Sequence, residues 1–345
     1  MTAADLDTFC RELPKIELHV HLEGSIRPRT LLTLARRRGV ELPADDEAGL
    51  ARWFAFRDFD HFVDIYLTCS RCLRDPEDFQ LVVRDFLAEQ ARQNVLHSEV
   101  HFTIGTHLAN GVAGDEVADA VWQGIEAGER ELGVSMRLIP DIVRNADMSH
   151  ADATVEWALE SRRFGVVALG LSGSEEWPTE PFREHFAAAR QEGLHVVAHA
   201  GEQAGPASIR SALAVCGPER IGHGISAVED PTLLAELAEA GIPLEICPTS
   251  NVALGFVESV EAHPFDRLRR AGVPLSVNSD DPPFFGTTLS DEYRRLAEAF
   301  GYDRSTLAEL ARAALEQSFV GPARRRELAE RAASGAAALG VEYHA

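Results

Sequence analysis

Short apolar segments alternate with longer amphipathic segments through most of the 345 residues. Eight short segments are mostly rich in Val, Ile and Leu, a composition typical of parallel strands that are buried on both faces. They lie at residues 16–20, 96–102, 136–139, 166–169, 194–198, 220–222, 243–246 and 275–277. The sixth segment is short and gives a weak signal on its own.

Helical periodicity fills the gaps between these segments. Within residues 115–132, for example, Val117, Val121 and Ile125 recur at helical spacing. Similar patterns cover residues 153–163, 180–191, 207–215 and 231–239. Eight strand-then-helix units in series predict an α/β fold of the TIM (β/α)8 barrel type.

Two helix-rich regions do not belong to this alternation. Residues 28–94 are too many for a plain crossover, so we expect a helical cap insertion after strand 1, near the barrel mouth. Residues 305–339 predict a helical C-terminal tail. No linker, internal repeat or low-complexity tract interrupts the chain, which favours one domain over residues 1–345.

The charge and cysteine content narrow the class of partner. The formal net charge is −22, from 55 acidic and 33 basic residues, which argues against a nucleic-acid-binding surface and against an anionic membrane. There is no apolar run of 18 residues and no signal-peptide pattern. Five scattered cysteines are typical of a reducing compartment, and the Cys69/Cys72 pair lies in a helical pattern, which indicates a structural role. We therefore expect a cytoplasmic protein with a small-molecule partner. No sequence pattern indicates an oligomeric state.

Titratable residues gather where four of the apolar segments end. These are His19, His21, His199, Glu202, His223, Asp280 and Asp281. The two histidines of the first segment are two positions apart, so they point to one face of a strand. Because active sites of such barrels form at the C-terminal strand ends, we expect all these side chains to meet there. Three imidazoles and a carboxylate suit one zinc ion per chain, with one coordination position left for water.

Five motifs carry a resemblance to a known family. They are Leu-Pro-Lys-Ile-Glu-Leu-His-Val-His-Leu-Glu-Gly at 13–24, His-Ala-Gly-Glu at 199–202, Ile-Gly-His-Gly at 221–224, Cys-Pro-Thr-Ser-Asn at 247–251 and Val-Asn-Ser-Asp-Asp-Pro at 277–282. With them the chain resembles the adenosine deaminase family of metal-dependent aminohydrolases, from about residue 13 to about residue 293. The chain lacks the P-C-x-x-C segment of the zinc deaminases that act on nucleic acid bases.

The resemblance implies a role for each of these residues. The zinc ligands would be His19, His21, His199 and Asp280. Glu202 would sit against N1 of the purine and move protons, and His223 would orient the attacking water. Asp281 would hydrogen-bond N7, Gly173 would offer its backbone N–H to N3, and His21 would also border the substrate. The implied reaction replaces the 6-amino group of an adenine-type base by oxygen and releases ammonia.

Several of these residues also have alternative interpretations. Asp281 could cap the turn before Pro282, and His223 could be a hydrogen-bonded core histidine. Glu17 alternates with the histidines of the first segment and could support them. The histidines near the second segment, His97, His101 and His107, are expected to be structural, although His107 could reach the substrate from a strand end.

The substrate is the least determined part of this prediction. Adenosine deaminases carry Asp, which meets the ribose 5′-hydroxyl, where this chain has Glu23. The Leu-Ser-Gly-Ser-Glu at residues 171–175 differs both from their Leu-Ala-Gly-x-Glu and from the Asp-Ser-Ser-Glu of adenine deaminases. A third branch acts on 6-amino-6-deoxyfutalosine, a menaquinone precursor with a large 5′ substituent. We rank aminodeoxyfutalosine first, adenosine second and adenine third. The region from residue 54 to residue 62, with four phenylalanines and an arginine, is expected to frame the substituent (Phe54, Phe56, Arg57, Phe59 and Phe62).

Two other classes of protein are weighed against this one. A non-enzymatic binding module would keep the fold but lose part of the titratable set, which is complete here. Another amidohydrolase with two metals would carry a carboxylated lysine at the end of strand four. That segment ends in Leu169-Gly170-Leu171, so a single metal is favoured.

Overall fold

Eight parallel strands form one sheet in the order β1 to β8 in the computed structural model, which describes residues 3–343. The strands are Lys15–His21, Val95–Phe102, Ser135–Val143, Ala168–Ser172, His195–Ala200, Arg220–His223, Leu244–Ile246 and Leu275–Val277. Each strand pairs in parallel with the next one along the chain. Helices connect the strands, so the predicted TIM barrel is confirmed.

The described helices are numbered α1 to α17 in chain order. They are Ala3–Glu12, Pro28–Arg38, Glu47–Phe54, Phe59–Arg71, Pro76–Arg92, Ile104–Ala109, Gly114–Leu132, Met148–Glu160, Arg183–Gln191, Gly205–Val215, Pro231–Ala240, Pro248–Ala253, Phe265–Arg270, Pro282–Phe285, Leu289–Phe300, Arg304–Gln317 and Pro322–Ala338. The predicted helical tail is present as α16 and α17. Over residues 3–343, no helix is both long and apolar enough to cross a membrane.

Several strands extend further towards their C-terminal ends than the apolar pattern predicts. The first was expected to end at Val20 and ends at His21, and the fifth was expected to end at Ala198 and ends at Ala200. The third reaches Val143 instead of Ile139. Polar side chains end the apolar pattern at these positions, but their backbones remain in the parallel ladder. The last residues of these strands therefore include candidate site residues.

Strands β1 and β8 close the barrel through a short seam. Val20 and Asp280 form a parallel bridge, with His21 N donating to Asp280 O over 2.9 Å and Asp280 N donating to His19 O over 3.1 Å. Below them the Asn278 side chain accepts hydrogen bonds from the backbone N–H groups of Leu18 (2.8 Å) and His19 (3.1 Å). Helix α16 packs against both strands from outside. The seam thus holds the two ends of the sheet together at the site.

The predicted cap consists of α2, α3 and α4. Helix α5 is the ordinary crossover helix, because it packs closely against α7 in the outer ring. Helix α4 begins after Asp58, whose side chain accepts a hydrogen bond from His61 N, as a helix N-cap does. One face of α4 borders the cavity at the barrel mouth through Phe62, Val63, Tyr66 and Leu67. Both members of the Cys69/Cys72 pair are buried, free thiols on this helix and at its end.

Candidate active site

The four predicted metal ligands meet at the C-terminal ends of β1, β5 and β8. His21 Nε2 lies 3.3 Å from His199 Nε2 and 3.3 Å from Asp280 Oδ1. His19 Nε2 lies 3.6 Å from the same carboxylate oxygen, and the His19 and His199 ring centroids are 4.5 Å apart. All four side chains are buried. Their donor atoms therefore surround one small volume.

In His19 and His199, the ring nitrogen that faces away from this volume is held by the protein. Glu245 Oε2 on β7 lies 2.8 Å from His19 Nδ1, and Leu171 O on β4 lies 2.9 Å from His199 Nδ1. Bonds of this kind orient metal-ligating imidazoles and leave the other nitrogen bare. Glu245 also accepts a 2.5 Å hydrogen bond from the buried Arg220. These contacts turn His19 Nε2 towards Asp280 and His199 Nε2 towards His21.

The donor set fits a divalent metal ion. His19 Nε2, which faces this volume, is buried and has no hydrogen-bond partner in the described part of the chain. Burial opposes the charged imidazole, but bonds with Asp280 and Glu245 raise the pKa of His19 to about 10. Burial likewise opposes charging of His21, whereas Asp281 and Asp280 raise its pKa to about 9. The pocket therefore attracts positive charge, and its nitrogen and carboxylate donors are those of zinc sites.

Two of the site residues have a left-handed backbone although they are not glycine. Asp280 has φ +65° and His223 has φ +61°. Such conformations cost on the order of 1–3 kcal/mol and persist where the surrounding structure enforces them. Asp280 is held further by Ser250, whose hydroxyl donates to Asp280 Oδ2 over 2.6 Å. The strained turns direct both side chains into the cavity.

Glu202, His223 and Asn251 form a second cluster beside the ligands. Asn251 Nδ2 donates to Glu202 Oε1 over 2.9 Å and lies 3.2 Å from His223 Nδ1. Burial, followed by the negative charge of Asp280, raises the pKa of Glu202 well above its ordinary value. Burial lowers the pKa of His223 to about 3. The arrangement favours a protonated carboxyl next to a neutral imidazole.

Asp281 lies at the cavity rather than in a helix cap. It is the residue before α14, but its side chain makes no cap hydrogen bond, so the turn-cap alternative is wrong. Its Oδ1 is buried and has no partner among the described residues. A methyl group on Gly24 would fall 1.6 Å from Oδ1, so only glycine leaves room for this carboxyl. Burial, then the charge of Asp280, raises the pKa of Asp281 well above its ordinary value.

A cavity of about 340 Å³ joins these residues at the barrel mouth. Its floor contains His21, His199, Glu202, His223, Asp280 and Asp281. Its walls are α4 on one side and, on the other, Asn145, Gly173 and Gln203 from the loops that follow β3, β4 and β5. Gly173 has φ +86°, and a Cβ there would lie 2.5 Å from Asn145 Oδ1. The volume is within the range of about 300–1,000 Å³ that is usual for small-ligand pockets.

The carboxylate of Glu23 is hydrogen-bonded by neighbouring side chains and backbone of the protein. Its buried carboxylate accepts hydrogen bonds from Thr103 N (3.0 Å), Thr103 Oγ1 (2.6 Å) and Tyr66 OH (3.1 Å). His107 Nε2 lies 2.9 Å from the same carboxylate. Burial would raise the pKa of Glu23, but His107 and Thr103 lower it below its ordinary value. Glu23 thus connects α4 and α6 to the end of β1, and the alternative in which His107 borders the cavity is wrong.

The aromatic residues between 54 and 62 contribute less to the cavity than expected. Phe62 borders it and also stacks on Phe285 of α14, with ring centroids 5.7 Å apart. Phe54 and Phe56 do not border it and pack against the aromatic side chains of α14, with ring centroids 4.8 and 5.8 Å away. Arg57 is exposed. The Phe59 side chain lies outside the described residues. This segment therefore packs mainly against α14.

Four buried polar residues were not given a role by the sequence interpretation: Asp141, Glu245, Ser250 and Asn251. Ser250 and Asn251 belong to the Cys-Pro-Thr-Ser-Asn motif after β7, so the motif itself was the available signal. Asp141 holds His101 Nδ1 at 2.9 Å, within a cluster of imidazole rings around the ligands. Glu17 accepts from Ser279 N over 3.1 Å, which confirms contact with the ligand-bearing loop. For Asp141, Glu245 and Glu17, the available sequence signal was a charged residue inside a buried strand.

Comparisons with known proteins agree with this geometry. A family model described as adenosine deaminase matches residues 14–334. An aminodeoxyfutalosine deaminase of Streptomyces coelicolor is 42% identical over 92% of this chain and 82% of its own length. An adenine deaminase of Albidiferax ferrireducens is 38% identical over 95% of both chains. The crystal structure of an amidohydrolase from Burkhoderia ambifaria with bound Zn has a TM-score of 0.88 at 25% identity, covering 99% of this chain and 96% of that one.

Proposed function

Because this chain belongs to the adenosine deaminase family, we propose that it is a zinc-dependent deaminase of an adenine-type nucleoside, with 6-amino-6-deoxyfutalosine as its first-ranked substrate. The observation that carries the proposal is the convergence of His19, His21 and Asp280, from opposite ends of the chain, beside Glu202. The 42% identity to an aminodeoxyfutalosine deaminase supports the choice of nucleoside. This substrate would place the enzyme in menaquinone biosynthesis.

Zinc is the proposed cofactor, one ion per chain. His19, His21, His199 and Asp280 would hold it, and the amidohydrolase that shares this fold contains zinc. When bound in such a site, zinc lowers the pKa of a coordinated water to about 7, which makes hydroxide available at neutral pH. The bare, buried His19 Nε2 supports this assignment, because it has no other partner among the described residues.

Glu202 is the proposed proton carrier. In protonated form it would donate to N1 of the purine while water attacks C6, which relieves negative charge on the ring. The carboxylate left behind would accept the first proton that the water loses and pass it to the departing amine. The second proton of the water, lost as the 6-oxo group forms, would restore the Glu202 carboxyl. Asn251 fixes the direction of this carboxyl, with its amide 2.9 Å from Glu202 Oε1. Ammonia and a 6-oxo base are the products.

The other cavity residues would orient the reactants. His223 lies 3.4 Å from Glu202 Oε1 and would align the attacking water. Asp281, whose Oδ1 has no partner among the described residues, would hydrogen-bond N7. Gly173 would offer its N–H to N3, and His21 would border the substrate as well as the metal. Together these contacts would place C6 over the metal ligands.

Adenine deamination is the second candidate, and Glu23 favours it over the deamination of plain adenosine. The Glu23 carboxylate is buried, hydrogen-bonds Thr103, His107 and Tyr66, and does not border the cavity, so we do not expect it to bind a ribose hydroxyl. This argues against plain adenosine, but it leaves both free adenine and a nucleoside whose 5′ substituent lacks that hydroxyl. The 38% identity to an adenine deaminase supports the same alternative.

A substrate panel with the purified protein tests both candidates. Adenine, adenosine, 2′-deoxyadenosine, 5′-methylthioadenosine and aminodeoxyfutalosine would be compared by ammonia release and by the absorbance change on loss of the amine. We expect the highest kcat/KM for aminodeoxyfutalosine. Higher kcat/KM for adenine than for every nucleoside would select the second candidate, and no ammonia from any compound would reject the proposed activity.

A further inference from the structure

One five-residue segment, His199 to Gln203, carries both a proposed metal ligand and the proposed proton carrier Glu202. It begins within β5 and continues into the loop at the barrel mouth. The His199 ring is oriented by Leu171 O, which lies 2.9 Å from its Nδ1. The backbone of the segment has contacts of its own, and these come from the loops that follow β3 and β4.

Glu175 holds the later half of the segment. Its Oε2 accepts from Gly201 N over 2.8 Å, and its Oε1 accepts from Glu202 N over 2.8 Å and from Gln203 N over 3.0 Å. Both oxygens are thus engaged by the protein, and hydrogen bonds to a carboxylate are stronger than those to a neutral acceptor.

Arg144 holds the earlier half. It follows β3, is 2% exposed, and its guanidinium donates to His199 O over 2.6 Å. An anion therefore holds the N–H groups of the segment and a cation holds its first carbonyl. The two contacts are two to four residues apart along the backbone, so each acts on a different functional side chain.

We propose that Glu175 is a positioning residue for Glu202 and that Arg144 is a positioning residue for His199. The inference rests on the proposed function, because it takes Glu202 as the proton carrier and His199 as a metal ligand. Loss of the Glu175 carboxylate frees three successive amides next to Glu202 and leaves the His199 carbonyl in place. Loss of the Arg144 guanidinium frees the His199 carbonyl and leaves the three amide contacts with Glu175 in place.

The two roles are separable in an experiment on the whole, zinc-loaded chain. Glu175→Gln and Arg144→Met are compared with Glu176→Gln, in which the neighbouring exposed carboxylate is altered. Four quantities are measured: kcat and KM, zinc retained after dialysis against a chelator, amide hydrogen exchange of residues 201–203, and the melting temperature. Arg144→Lys, which keeps a cation, is added in case the methionine variant does not fold.

For Glu175→Gln we expect kcat to fall by about 10- to 100-fold, with KM and retained zinc close to wild type and faster exchange at residues 201–203. For Arg144→Met we expect zinc affinity to fall by about 10- to 100-fold, partly rescued in Arg144→Lys. Glu176→Gln should match wild type in every measurement.

Three results would overturn the inference. The first is wild-type kcat in Glu175→Gln, and the second is wild-type zinc retention in Arg144→Met. The third is an equal loss of zinc and melting temperature in both variants, which would indicate general support of the fold. An inactive wild-type protein would reject the proposed function instead. In that case hydrogen exchange and zinc retention would still decide between the two positioning roles and general support.

Discussion

His21 and Asp280 meet twice across the barrel seam, once through the backbone and once through their side chains. His21 N donates to Asp280 O over 2.9 Å, and His21 Nε2 lies 3.3 Å from Asp280 Oδ1. The backbone hydrogen bond that closes the barrel therefore also helps to set the distance between two proposed metal ligands. Any change that opens the seam should disturb the metal site directly.

Removal of the metal should consequently lower the stability of the whole fold. An ion that binds only the folded chain stabilises it by about 2.7 kcal/mol at a free concentration 100 times its Kd. We expect chelation to lower the melting temperature, added zinc to restore it, and His19→Ala to abolish the difference. Elemental analysis with thermal melts measures this. A chelated protein that melts like the untreated one would contradict the proposed site.

Glu202→Gln should remove the proton carrier and keep the fold. The amide can still accept from Asn251, but it cannot donate and recover a proton at N1. We expect kcat to fall by about 10²- to 10⁴-fold, the usual contribution of general acid–base catalysis, with the zinc content unchanged. Steady-state ammonia release measures the effect. Near-normal turnover in this variant would refute the assigned role.

Gly24→Ala should displace Asp281 without altering any polar group. The added methyl group would fall 1.6 Å from Asp281 Oδ1, so the carboxyl has to move. A shift of this size in an orienting group reduces kcat/KM by about 100-fold. The control is Gly321→Ala, where nothing lies within 4 Å of the added carbon. Equal kcat/KM in the two variants would mean that Asp281 does not orient the substrate.

Phe62→Ala should raise KM for large substrates more than for small ones. Phe62 and Phe56 both pack against Phe285 of α14, but of the two it is Phe62, on α4, that also borders the cavity. We expect Phe62→Ala to raise KM roughly tenfold for aminodeoxyfutalosine and to change it little for adenine, because only the larger ligand reaches α4. Phe56→Ala is the matched control. An equal effect of Phe62→Ala on both ligands would show that the substituent does not contact α4.

Lys15 should make the stability depend on pH between 7 and 10.5. Its buried ammonium donates to Cys10 O over 2.6 Å and to Leu13 O over 2.7 Å, and burial lowers its pKa from 10.5 to about 7. Within this window the unfolded chain binds more protons than the folded one, so the free energy of unfolding rises with pH.

The rise should reach at most about 1.4 kcal/mol per pH unit. Lys15→Met should lack this contribution, and the wild-type slope minus the variant slope isolates it from all other titrating groups. Urea unfolding at several pH values measures both slopes. Identical slopes would show that Lys15 is not perturbed in the folded chain.

The barrel and the clustering of the candidate site residues could be predicted because both signals are local. Apolar segments at regular spacing indicate the strands, and His19, His21 and Asp280 stand out because each lies near the end of such a segment or just after it. Strand ends were less predictable, as β1 and β5 show, because an inward-facing polar residue ends the apolar pattern without ending the ladder.

The partners of these residues could not be predicted, because they come from distant strands. His19 and Glu245 are 226 positions apart along the chain, and Glu23 and Thr103 are 80 apart. Periodicity shows which face of a strand is buried, but not which remote side chain fills the space beside it. For this reason Glu23 was considered only for its possible contact with ribose, although Thr103, His107 and Tyr66 contact its carboxylate.

The barrel seam also has a consequence for how the protein is made. Two of the proposed ligands are translated near residue 20, and their carboxylate partner follows about 260 positions later, at residue 280. A nascent polypeptide therefore carries an incomplete set of the proposed ligands until residue 280 has been added. Tight binding of the proposed zinc ion, and the deamination that would depend on it, cannot begin before that residue is made.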